Sequence, residues 1–133
     1  MIGFSVILVL LGLPTEGMPQ AVDTDVTKVI SRTIKKAEMA QFQRFDGTTY
    51  LRAFTDEAKW VYGRRAVPDT HDFIVDRSAY AARVRLNRWV KSDGQHRIYF
   101  RSFNFEQIHD EIVVEAEIAL FFPGGNSVEQ RRY

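Results

Sequence analysis

Cysteine is missing from this 133-residue chain, which excludes disulfide frameworks, thiolate metal sites and cysteine nucleophiles together. The fold must stand on its packed core. An excess of one charge sign is missing as well. Eighteen Lys and Arg face 17 Asp and Glu, a formal net charge of +1, so no global field steers the chain toward nucleic acid or anionic lipid. Any charge argument is local. There is no Gly-rich phosphate loop, no Gly-x-Ser-x-Gly elbow, no His-Glu-x-x-His segment and no Asn-x-Ser/Thr acceptor, and the three His lie far apart. Neither a metal nor a cofactor is expected.

What is present begins with one apolar run, residues 4–13, closed by Pro14. It is too short for a transmembrane helix, which needs about 20 apolar residues. The run reads as the apolar segment of a signal peptide spanning residues 1–17, with Ala21 as the later cut. That reading implies a secreted, extracellular domain over residues 22–133 with no membrane anchor after cleavage. The other reading is a buried amino-terminal strand, and the absence of Lys or Arg before the run speaks for it.

Beyond residue 22 the length and the 45% hydrophobic content suit one globular domain. Val22, Val26, Val29, Ile30, Ile34 and Ala37 recur at helical spacing, with Lys28, Arg32, Lys35 and Lys36 opposite, so residues 23–44 read as an amphipathic helix. Asp23, Thr24 or Asp25 caps its start and Asp46-Gly47 ends it, after which Thr48 or Thr49 caps a short second helix. Residues 58–62 read as a strand. After Pro68, Asp69 or Thr70 caps a third helix reaching Ala82. Residues 83–91 alternate as a strand, Asp93-Gly94 suits a hairpin turn, and a second strand follows to Phe105. Residues 107–110 reverse the chain into the strongly alternating strand 111–122, and the turn 123–126 leads to a polar tail that can add a last strand.

Helices gathered before an antiparallel meander make an α+β fold, with helices on one face of a curved sheet. This element order over residues 22–122 resembles the nuclear-transport-factor-2-like superfamily, with its ketosteroid-isomerase-like and polyketide-cyclase-like branches. It is less similar to the cystatin fold, whose Gln-x-Val-x-Gly segment is absent here. The resemblance implies a conical pocket between the helices and the concave sheet face.

Three constellations carry chemistry. With Asp93-Gly94 at the turn, Arg88 falls opposite Tyr99 and Leu86 opposite Arg101, and a second reversal sets Phe105 opposite Ile112 and Arg101 opposite Ala116. Arg88, Tyr99 and Arg101 would then line the inner face and receive an anionic small ligand. His71, Asp72 and Asp76, with Tyr80, form an acid–base stripe if one helix carries them all. The basic, aromatic stretch 83–103 looks like a nucleic-acid surface, but Glu106, Asp110, Glu111, Glu115 and Glu117 on the adjoining strand offer cross-strand ion pairs instead, so nucleic acid is not the expected partner. An outer patch of Trp89, Ile98 and Phe100 would support a homodimer through the sheet. The functional expectation is an extracellular, non-enzymatic binding module for a small molecule or a protein. The alternative is a small pocket enzyme of isomerase or dehydratase type.

Overall fold

The computed structural model describes residues 5–8, 21–63, 73–87 and 94–133. Their order is β1 (Ser5–Leu8), α1 (Thr24–Arg44), α2 (Gly47–Leu51), β2 (Lys59–Gly63), β3 (Phe73–Asp76), α3 (Arg77–Asn87), β4 (Arg97–Ile108), β5 (Glu111–Phe122) and β6 (Gly125–Arg132). The fold is α+β. The strands form one six-stranded sheet in the order β3-β2-β1-β6-β5-β4. β1 lies antiparallel to β2 and parallel to β6, and every other pairing is antiparallel.

α1 begins where Asp23 accepts bonds from the amides of Asp25 (2.8 Å) and Val26 (3.4 Å). It ends at Arg44 as expected, but Phe45 rather than Asp46-Gly47 makes the stop, taking the left-handed conformation at φ 53° while the Asp46 amide bonds back to the Ala40 carbonyl at 2.9 Å. A non-glycine residue there is strained, and the Phe45 ring recovers packing against His96, with centroids 5.0 Å apart. Asp46 is thereby freed to cap α2 through the Thr49 amide at 3.1 Å, a role expected of Thr48 or Thr49.

Two expectations fail in the middle of the chain. The third helix does not start near Pro68, since Phe73–Asp76 extends as β3 against β2 and the helix begins at Arg77, where Asp76 accepts from the Ala79 amide at 2.7 Å. The β-branched pair Ile74-Val75 gains more from the β2 ladder than from a helical turn. The strand expected over 83–91 is also absent, because Arg83–Asn87 completes α3, while residues 88–91 and Asp93 lie outside the described residues. Alternation at Val84 and Leu86 misled because α3 passes through both at a different period, and Val90 lies outside the described residues.

The reversal at 109–110 does form, with His109 left-handed at φ 55°. Its register is two residues from the expected one: Gln107 faces Ile112, Phe105 faces Val114 and Phe103 faces Ala116. A bulge between Phe100 and Ser102 absorbs Arg101 and flips the facing of everything before it. The polar tail is a full strand, β6, along β5.

Two clusters make up the described core. One is aromatic, with Ala37, Tyr50, Leu51, Ala58, Trp60, Val75 and Tyr80. The other is aliphatic, with Ile98, Ala116, Ile118 and Leu120, covered by Met39, Phe42, Phe100 and Phe103. Tyr133 packs against both.

Candidate functional site

The inward face of α1 carries a carboxylate between two alanines. Ala37 and Ala40 let the helix approach the sheet closely, and Glu38, 3% exposed, is held between the two core clusters. The Arg131 guanidinium, from β6, donates to Glu38 Oε2 and also, at 2.9 and 3.1 Å, to Glu129 Oε2. The Tyr133 hydroxyl donates to Glu38 Oε1 at 2.8 Å. Tyr133 reaches that point because its backbone amide and carbonyl continue the ladder with Val114, at 2.7 and 3.0 Å. Both Glu38 oxygens are therefore occupied by groups from the last three residues of the chain.

Phenols surround this cluster. Trp60 Nε1 donates to Tyr50 Oη at 2.8 Å, and Gln41 donates its amide to Tyr80 Oη. Trp60 and Tyr80 stack at 4.4 Å with a 9° interplanar angle. Burial, and then the Glu38 carboxylate, push the Tyr50 and Tyr133 hydroxyls well above the ordinary tyrosine value. Burial raises Tyr80 against the opposing bond from Gln41, and raises Tyr62 against nearby Arg83. Burial opposes the Arg131 charge, but Glu38, then Tyr133 and Glu129, outweigh it and keep the guanidinium protonated well above its usual range. The interior thus holds neutral phenols around an ion pair at neutral pH.

The residues singled out from the sequence are placed differently. Arg101 sits in the bulge, exposed, with its Nε 4.0 Å from Glu117. Tyr99 is 55% exposed on the outer sheet face, its ring edge-on to Phe121 at 5.6 Å. Tyr99 and Arg101 therefore lie on the outer side and do not line an inner anion site, and Arg88 lies outside the described residues. One bulged residue was enough to move them, since strand facing has a period of two. His71 and Asp72 also lie outside the described residues. Asp76 ends a strand, exposed, while Tyr80 is buried in α3 one helical turn later, so Asp76 and Tyr80 do not share a helical stripe. Of the basic stretch 83–103, residues 83–87 belong to α3 and residues 97–103 to β4, so its described residues form no single sheet surface. Of the patch Trp89-Ile98-Phe100, Trp89 is outside the described residues, Ile98 is core at 4% exposure and Phe100 covers it. The outward residues are instead Tyr99, Phe121 (43% exposed) and Val128 (44%).

Glu38, Arg131 and Tyr133 were missed. The available signal was Glu38 four residues after Ile34, on the inward side of an amphipathic helix, where a carboxylate requires a partner. Among the described residues no group of His, Asp and Glu could hold a metal ion, and no helix is long and apolar enough to cross a membrane. Comparison of the chain with protein-family models, curated proteins and solved structures gives no match.

Proposed function

We propose that the protein is a non-enzymatic binding module of the nuclear-transport-factor-2-like type that acts through its surface rather than through an internal reaction site. The observation that carries this reading is the occupancy of Glu38. A general base needs a free lone pair within reach of a substrate proton, whereas Glu38 is 3% exposed and each of its oxygens already accepts, one from Arg131 and one from Tyr133. The phenols around it, raised by burial, stay protonated and are poor proton donors. The unspent apolar surface lies outside, where Tyr99, Ala119 and Val128 align across β4, β5 and β6 beside Phe121. Such a row is suited to a second copy of the chain, because a two-fold axis sets like rings against one another.

Sedimentation equilibrium tests this. A dimer that Tyr99→Lys with Phe121→Lys converts to folded monomer supports the reading, and a monomer at all concentrations refutes the self-association. The rival, a proton-transfer enzyme with Glu38 as base, needs a ligand that displaces Arg131 and Tyr133. Glu38→Gln separates the two, since the module loses stability and keeps its association, whereas an enzyme site keeps its fold.

Export belongs to the same proposal. Residues 5–8 pair as β1, so removal of residues 1–17 would leave β2 and β6 without the strand between them. Amino-terminal sequencing of carboxy-terminally tagged protein is the test. A new terminus at Met18 or Val22 supports export, and an intact Met1 in the cytosolic fraction refutes it.

A further inference from the structure

One flank of α1 is basic along its length. Lys28, Ser31, Arg32, Lys35, Lys36, Met39 and, at the far end, Arg44 line a groove of about 510 Å³. No carboxylate lies within ion-pair distance of any of its five cations among the described residues. Along the chain, Asp25 lies three residues before Lys28, and Asp46, which interacts with Arg44, is bonded to Thr49. Lys28 with Arg32, and Arg32 with Lys36, are like-charge pairs four residues apart, an arrangement that weakens an isolated helix. From Thr24 to Lys36 α1 has no buried residue, so core packing does not require these cations either.

We propose that this groove receives an extended acidic segment of another polypeptide. The spacing suits one. Cations four residues apart on a helix are about 6 Å apart along its axis, and alternate side chains of an extended chain are about 6.6 Å apart. Acidic residues at every second position therefore meet Lys28, Arg32 and Lys36 in turn. A single-stranded nucleic acid has comparable charge spacing but draws on open aromatic faces for its bases. Phe103, the ring over which Lys35 lies at 5.6 Å, stacks between Phe100 and Phe105 at 5.2 and 5.9 Å. A bilayer is flat where this surface is concave. The site is separate from the outer sheet face and does not depend on self-association.

The probe is a fluorescein-labelled octapeptide of alternating Glu and Ala, followed by anisotropy with the full chain at low salt. Binding is expected, weakened by added salt and absent for the Gln/Ala counterpart. The exposed double variant R32E/K36E should lose at least tenfold in affinity with its circular dichroism and thermal unfolding unchanged. An eight-nucleotide oligothymidylate and phosphatidylserine vesicles are the competing probes. Tighter binding of either one, unchanged peptide affinity in R32E/K36E, or no peptide binding at low salt overturns the proposal.

Discussion

The two halves of the core solve the same packing problem with different chemistry. Under α2 and α3, large aromatic side chains bury polar tips, so the interior of that half is tied by bonds such as Trp60 to Tyr50 and Gln41 to Tyr80. Under α1, where β4 and β5 run, Ile98, Ala116, Ile118 and Leu120 interlock without a polar atom in their side chains. The first half has few acceptable rearrangements, because each buried hydroxyl or indole needs a partner. The second is set by volume alone. Glu38, Arg131 and Tyr133 occupy the line between them and tie both to the end of the chain.

Breaking that junction should have the largest effect. Glu38→Ala leaves the Arg131 guanidinium, 12% exposed, with Glu129 as its sole remaining carboxylate partner among the described residues, and takes from the Tyr133 hydroxyl its carboxylate acceptor. Removing one member of a buried pair costs about 3–5 kcal/mol, measurable by urea unfolding. Replacing Glu38 by Leu and Arg131 by Met together should lose less than the two single losses combined, because the double variant leaves only Glu129 without its partner, whereas each single change also strands one charge of the Glu38–Arg131 pair. A double variant as unstable as the sum of its singles would show that Glu38 and Arg131 act separately.

Ile118→Ala and Tyr50→Phe sharpen the contrast. Ile118 is fully buried, so its truncation should cost about 2–5 kcal/mol, with a decrement that is the same at pH 7 and pH 10.5. Tyr50→Phe keeps the ring and removes the acceptor of Trp60 Nε1, for about 1–3 kcal/mol. The wild-type protein should itself weaken in alkali. Tyr50, Tyr62, Tyr80 and Tyr133 have folded values above the ordinary tyrosine value of about 10, so the unfolded chain releases their protons first. Stability from this source is complete below about pH 10 and falls as pH rises beyond it. Tyr50→Phe should flatten that decline and Ile118→Ala should not. Equal alkaline slopes for the two variants would remove the distinction between the halves.

The elements most readable from sequence were those whose pattern and caps agree. α1 declares itself by its apolar period and by Asp23, and β5 by alternation from Ile112 to Leu120. The middle of the chain was illegible because residues 73–87 satisfy two periods at once, and only pairing with β2 makes Phe73–Asp76 a strand. The bulge at Arg101 has no sequence signature of its own, yet it decides which face Tyr99 presents. Glu38 was legible as an anomaly but not as a site, since its partners lie 93 and 95 residues away. Asp46 was read as part of a turn when its carboxylate caps α2. Asp46→Ala should cost about 1 kcal/mol, and the Thr49 bonds that lower its pKa make the contribution fade as pH falls through that lowered value.

The smallest expected effect concerns Arg101, on which the sequence pattern placed the most weight. Arg101 on the inner face opposite Ala116 would have been a buried charge needing a carboxylate or an anionic ligand, and Arg101→Leu would then have changed stability markedly. The bulge sets it outside instead, half exposed, and the separation from Glu117 is at the outer limit of an ion pair. A pair with that geometry and that much solvent contributes about 0–1 kcal/mol, so Arg101→Leu should shift urea unfolding by no more than about 0.5 kcal/mol. Its salt dependence should match that of the wild type, because little Coulombic energy is there to be screened. A loss of 2 kcal/mol or more would mean that Arg101 points inward and that the bulge does not form. In that case Tyr99 would turn inward with it, and the outer apolar row would lose its ring on the edge strand β4.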